Sequence, residues 1–293
     1  MPDNLGNICW YTVHDQEIAR DDVTQKLKDA GLDVSFTPRR TAPTDAFRRA
    51  VRDSEVKRVA RFDGTFANFL IRYVTKSKDD LVCQVVREVV NANLKHLSYE
   101  QIVEVGLDRA TGTVAYRELG GGFRYEEPNI AQAIEERYNR YLDHYNGAHM
   151  RIIIHDVLRT LNPVAVRPSG GVYFVPEEGE KTLHKLQTFV KSLGSESDMW
   201  LMPVLDNNDS RAVVRSTLDS EVTATSAQVI EDLRRMLGRK GEISEGDQRR
   251  ALMELHRLQD LTTRYESILE DKLLDAQSKL DVAIRQVKNL LAA

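Results

Sequence analysis

The sequence predicts an α+β protein, with an antiparallel β meander packed with helices, a β-hairpin/helix/strand unit, and a long C-terminal amphipathic helix. Three observations predict it: two β-rich hairpins between residues 70 and 116, helical periodicity on both sides of them, and no proline from residue 244 to 291. The 293-residue chain is 41% hydrophobic and 29% charged, enough to bury a core and too patterned for disorder.

In the first stretch, Asp15 is placed to cap a helix carrying Ile18, Val23, Leu27 and Ala30 and ending at Gly31. Pro38 and Pro43 bracket a loop, and Thr44 is the expected N-cap of a helix with Phe47, Ala50 and Val51 inward. The runs 70–75 and 81–87 flank the polar Ser77-Lys78-Asp79-Asp80, and the runs 102–105 and 113–116 flank Asp108–Gly112. β-branched and aromatic runs joined by polar turns read as hairpins, so about four antiparallel strands are expected, with helices on one face.

Gly120-Gly121-Gly122 marks a turn, and Pro128 stands where a first-turn proline is expected, before a helical spacing of Ile130, Ile134, Tyr138, Tyr141 and Tyr145. Met150, Ile154, Val157, Leu158 and Leu161 predict another helix, closed by Asn162-Pro163. Val164–Arg167 and Val172–Pro176 flank Pro168-Ser169-Gly170-Gly171, and a Gly-Gly pair supplies the positive φ that a tight hairpin needs. Leu183, Leu186, Val190 and Leu193 make a helix stopping at Gly194; residues 199–205 make a strand whose Pro203 points to a sheet edge. Three segments are expected: 1–125, 126–208 and 209–293.

The C-terminal stretch carries an apolar seam, Leu269, Leu273, Ala276, Leu280, Ala283, Val287 and Leu290, in alternating steps of four and three. As one helix from Ser244 it would extend roughly 65–70 Å at 1.5 Å per residue. It is either a coiled-coil arm for self-association or partner binding, or one half of a hairpin with residues 210–237.

The net charge of −4 excludes a generally basic nucleic-acid coat. No apolar run nears the roughly 20 residues of a membrane span, and Met1-Pro2-Asp3-Asn4 opens no leader pattern, so a cytoplasmic location away from membranes is expected. Cys9 and Cys83 lack a CxxC spacing and read as buried, reduced thiols. No GxxxxGK[ST] or strand-following GxGxxG is present, and neither a cofactor nor a metal is expected. His155-Asp156, with Asp206 or Asp219, is the nearest approach to a phosphohydrolase metal set. Arg39, Arg40, Arg48, Arg49, Arg52, Lys57, Arg58 and Arg61 form the basic cluster that could hold nucleic-acid phosphates.

The segment Arg167-Pro168-Ser169-Gly170-Gly171-Val172-Tyr173-Phe174-Val175-Pro176 is the most distinctive. With the arginine-bearing helix, the meander and the Pro-Val-Leu-Asp ending near residue 206, it resembles an uncharacterised family of phage and bacterial proteins over about residues 10–220. That resemblance brings no activity; it marks Arg167, Gly170, Gly171 and Tyr173 as candidates. The leading expectation is a non-enzymatic adaptor or assembly protein acting through Leu269, Leu273, Leu280, Val287 and Leu290. The alternatives are a nucleic-acid-associated protein and a metal-dependent phosphohydrolase.

Overall fold

The computed structural model describes residues 4–93, 95–120, 122–125, 127–167, 171–240 and 242–292. In chain order the elements are β1 (Asn4–Thr12), β2 (Ile18–Ala19), α1 (Arg20–Asp29), α2 (Pro43–Arg52), β3 (Val56–Ala60), β4 (Phe66–Lys76), β5 (Asp80–Val90), β6 (His96–Asp108) and β7 (Thr113–Glu118). There follow α3 (Ile130–Asp143), β8 (His144–Tyr145), α4 (Gly147–Thr160), β9 (Val164–Ala165), β10 (Val172–Pro176), α5 (Glu180–Ser192) and β11 (Asp198–Leu205). Three helices follow: α6 (Asn208–Lys240), α7 (Glu245–Leu269) and α8 (Leu274–Ala292). The fold class is α+β, as the sequence predicts.

The chain divides into two compact units, each built from separate stretches. The meander unit takes Glu17–Val23 and Pro38–Asn146; the bundle unit takes Met1–Gln16, Thr24–Thr37 and Gly147–Ala293. These units do not follow the contiguous segments 1–125, 126–208 and 209–293, because β1 belongs with strands that come more than a hundred residues later.

The meander unit holds one antiparallel sheet in the order β3-β4-β5-β6-β7. It has five strands where four were expected. The added strand, β3, has a bulge between Val56 and Val59, where Arg58 sits at φ 59 and gives its N–H to Asn68 Oδ1 at 2.8 Å. Such an interrupted, charged strand leaves no alternating pattern in the sequence. Helices α2 and α3 pack on one face: Phe47, Ala50 and Val51 meet Ile130, Ile134 and Tyr138 over Phe69, Ile71, Cys83, Val85 and Val105. Pro128 precedes the cap of α3 instead of opening its first turn; Asn129 is the N-cap, accepting from the Gln132 N–H at 3.1 Å.

An ion pair is sealed into that unit. Arg87 Nη1 meets Glu127 Oε2 and Nη2 meets Glu100 Oε2, each at 2.6 Å, with the Arg87 and Glu127 side chains 3% and 0% exposed. Arg87 Nη1 also donates to the Gly122 carbonyl at 3.2 Å, so the segment leading into α3 is tied to β5.

The bundle unit has a four-stranded antiparallel sheet in the order β11-β1-β10-β9. β1 and β10 are its interior strands, and β1 pairs Cys9 with both Tyr173 and Leu201. The sequence assigns it no element, since Asn4, Gly6 and Asn7 break the β-rich pattern. Gly6 is required there: a Cβ would lie 2.3 Å from the Val175 carbonyl oxygen. Asp15 does not cap α1, which begins only at Arg20; its Oδ1 accepts the Gly147 N–H at 3.2 Å. Helix α5 lies against β1 and β11, while Leu5, Val164 and Phe174 on the opposite face enter the core of the three C-terminal helices.

Both edges of this sheet are blunted. Pro203 on edge strand β11 has no N–H to offer, as expected for an edge proline. Also on β11, the Met199 N–H goes to Asp198 Oδ1 at 2.7 Å and its carbonyl accepts from Gln187 Nε2 at 2.8 Å. On β9, the Ala165 N–H is taken by Glu221 Oε2 of α6 at 2.8 Å. Occupied or missing donors deprive an incoming strand of its ladder.

The C-terminal stretch is not one helix. It breaks after Leu269, where Glu270 adopts the left-handed conformation at φ 52 without glycine or proline. Tertiary contacts hold that corner: Arg211 Nη1 donates to the Leu269 carbonyl at 2.7 Å, and Glu266 Oε1 accepts the Leu273 N–H at 2.8 Å and Gln277 Nε2 at 2.7 Å. Helices α6, α7 and α8 therefore form an up-down-up bundle. Leu273, Ala276, Leu280, Ala283 and Val287 share one core with Val214, Leu218, Val222 and Ile230 of α6 and Leu255, Leu258 and Tyr265 of α7. The expected 65–70 Å arm is replaced by two helices that cover their own seam.

Both the sealed ion pair and the corner make testable demands. Removing one partner of a buried pair leaves an uncompensated charge, so Glu127→Ala should lower the urea-unfolding free energy by about 3 kcal/mol. At the corner, hydrogen bonds from Arg211 hold the Asp206 carboxyl below its ordinary value of 3.8. A depressed carboxyl stabilises the fold above that value, and its contribution is lost as pH falls through the folded pKa. Asp206→Asn should accordingly lower the melting temperature at pH 7 and match the wild type at the lowest pH where both remain folded.

Candidate functional site

The β9–β10 hairpin lies against α6 in the bundle unit and borders three cavities there. The first, about 430 Å³, is apolar: Ile8, Phe174, Met202 and Val204 of the sheet face Val213 and Val214 of α6, with Asp209 and Ser210 at one end. A second, about 420 Å³, shares Val166 and Thr217 with the first and adds Arg167, Ser216, Ser220 and Glu221. The third, about 390 Å³, is polar and is lined by His155, Arg159, Tyr173, Glu221, Glu254 and Arg257 among others.

The charges of the polar cavity are largely spent on one another. Arg257 lies 2.8 Å from Glu254 Oε1 and 3.5 Å from Glu221 Oε1, and Arg159 stands 3.9 Å from Glu254. Burial works to lower the Arg257 pKa, but Glu254 and Glu221 outweigh it and hold the guanidinium charged. Burial, with Cys9 and Glu221 close by, pushes the Tyr173 phenol up, so it stays protonated at neutral pH. Among the described residues the cavity thus holds a tyrosine and a histidine beside paired ions, and no activated nucleophile. The two thiols offer none either: burial pushes Cys9 and Cys83 each up to about 12.

The apolar cavity opens onto a surface of the same character. Trp200 is 39% and Met202 49% exposed, with Leu205 and Val213 also exposed around the mouth. Trp10 and Trp200 stack with ring centroids 6.0 Å apart, continuing the row formed by Ile8 and Met202 along the sheet.

The structure distributes the sequence candidates unevenly. From the hairpin, Tyr173 and Arg167 line cavities; Gly171 has φ +63 with open space around it, while Gly170, Ser169 and Pro168 lie outside the described residues. His155 joins Tyr173 in the polar cavity, its Nδ1 4.0 Å from Asp156. Asp206 is committed to Arg211 at 2.6 Å, and Asp219 lies in a separate groove with Arg215 and Lys279. Among the described residues no group of three His, Cys, Asp or Glu side chains is placed to hold a metal ion.

The basic cluster is mostly paired in the meander unit. Arg40 meets Asp143 at 2.5 Å, Arg48 meets Asp45 at 3.7 Å, and Arg49 and Arg52 both meet Asp53, at 3.7 and 3.2 Å. Arg49 also lies 4.0 Å over the Tyr141 ring, and Arg58 lies 5.3 Å over Phe66. Arg39 has no carboxylate partner among the described residues. In the seam, Leu269, Leu273, Leu280 and Val287 are buried and Leu290 is half-buried. Sequence reading missed Arg159, Glu221, Glu254 and Arg257, since they lie on three different helices and only the fold gathers them.

A family of unknown function, DUF6744, matches residues 4–293, and the chain belongs to that family. The match takes in the terminal helices, which the hairpin resemblance left outside. No curated protein and no solved structure matches the chain. No helix among the described residues is long and apolar enough to cross a membrane.

The thiols supply a direct check. In the native protein at pH 8 a disulfide-exchange reagent should titrate neither Cys9 nor Cys83, and after denaturation it should titrate both; rapid native reaction at either would contradict their burial.

Proposed function

We propose that this is a non-enzymatic adaptor or assembly protein that docks a protein partner on the apolar cleft between strands β1 and β11 and the first half of α6. One observation carries the reading: the exposed Met202, Leu205 and Val213 line an apolar cavity of about 430 Å³, and the exposed Trp200 continues the Met202 row along the sheet. Exposed contiguous apolar surface marks interaction sites, and methionine and tryptophan suit it because one adapts its shape and the other contributes large area.

The docking element differs from the one expected at first. The seam of Leu269, Leu273, Leu280 and Val287 has no free ridge to present, since α6 and α7 already cover it. A phosphate-tracking role for Arg39–Arg61 is weakened because Arg40, Arg48, Arg49 and Arg52 are engaged with carboxylates. A cytoplasmic setting fits the two free, buried cysteines, and a phage association extends the proposal through the hairpin resemblance.

The test is partner retention by the full-length protein, comparing wild type with Met202→Glu and with Val213→Asp. Both side chains are exposed, so both variants should melt within about 1 kcal/mol of wild type. A protein retained by wild type and lost with both variants supports the reading. Equal recovery by all three removes it.

A further inference from the structure

We infer that the docked partner presents its C-terminal end, with its last apolar side chains in the cleft and its terminal carboxylate at Arg167. This rests on the docking reading above and adds to it the chemistry of what is docked.

The two adjoining cavities differ in kind. The one under Phe174 and Met202 is apolar, and across Val166 and Thr217 the next one opens onto Arg167 and the α6 hydroxyls. Arg167 is exposed and has no carboxylate partner among the described residues. The nearby acid does not cancel it, because Glu221 is engaged by the Ala165 N–H at 2.8 Å and by Arg257 at 3.5 Å. Of the hydroxyls lining that cavity, Thr217 and Ser220 already donate to the Val213 and Ser216 carbonyls, while Ser216 and Thr225 line it with Arg167 as further donors. Asp209, in the first turn of α6, also lines the apolar cavity and disfavours a second carboxylate there.

An apolar body ending directly in a carboxylate fits this pattern, and a peptide terminus has that form. A guanidinium binds a carboxylate through two parallel N–H bonds. The commoner way of holding an extended peptide, adding it as a strand, is obstructed at Met199 and Pro203 on one sheet edge and at Ala165 on the other. Side-chain pockets plus end-group capture remain.

The experiment uses the full-length protein and two probes, acetyl-Ala-Leu-Val-Leu as the free acid and as the C-terminal amide. Acetylation leaves the terminal carboxylate as the only charge. The protein has two tryptophans, which stack on each other on the same sheet face as Ile8 and Met202, so their emission reports occupancy. The free acid should give a saturable change, and the amide should bind about ten- to a hundredfold more weakly, the range a charge-assisted hydrogen-bonded pair supports. Arg167→Gln should erase the difference between the probes and Arg167→Lys should restore part of it, while Met202→Glu should abolish both signals.

Equal binding of acid and amide, abolished by Met202→Glu, overturns the carboxylate assignment and leaves the docking reading standing. Octanoate binding as tightly as the free-acid peptide also overturns it, by making the site one for small monocarboxylates. Absence of any saturable change with either peptide overturns it as well, and the docking reading then stands or falls on partner retention by the cleft variants.

Discussion

The bundle unit depends on covering the leucine seam of its C-terminal helices. A helix with so continuous an apolar ridge must pack against something, and the corner at Glu270 decides what that is. Left straight, the seam would need an outside partner along much of its length. Turned back by Arg211 and Glu266, it is covered by α6 and α7 within the same polypeptide. The closure propagates outward. With α6 held in place, Glu221 reaches the β9 edge, Tyr265 packs edge-on against Phe174 at 6.2 Å, and the first half of α6 overhangs the sheet to form the apolar cleft.

The meander unit solves a different problem. Its sheet is covered on one face by only two helices, α2 and α3, so the loop that leads toward α3 needs its own anchor. Arg87 supplies it, meeting the buried Glu127, the partly exposed Glu100 and a backbone carbonyl. Such a group contributes less net stability than its short distances suggest, since desolvation opposes it, but its geometry accepts only one path for the segment it binds.

Much of this was legible in the sequence where local chemistry and tertiary packing agree. The turn residues at 77–80 and 108–112 placed β4 to β7, and the single proline of 199–205 marked β11 as an edge. Elements were missed where local signals were weak or misleading. β1 carries glycine at a position that only a neighbouring strand's closeness demands, and β3 is bulged and charged. The break at Glu270 is invisible because its steps of four and three continue unbroken through Leu269 and Leu273; the evidence for it lies in Arg211, almost sixty residues upstream. Of the cavity residues, Arg167, Tyr173 and His155 stood out beside unusual neighbours. Glu221, Glu254, Arg257 and Val213 look like any residues of amphipathic helices, and nothing short of the fold groups them.

The discontinuous path of the backbone has a consequence for biosynthesis. β1 ends at Thr12, yet both strands that flank it, β10 and β11, begin only at Val172 and Asp198. At translation rates of about 5–20 residues per second, that apolar segment waits on the order of ten seconds or more with its backbone groups unpaired. During the same interval every residue of the meander unit is already made. The nascent polypeptide therefore passes through a stage in which one unit can be complete while the other lacks both neighbours of β1. Until those strands follow, the apolar run Ile8-Cys9-Trp10-Tyr11 has no sheet to join.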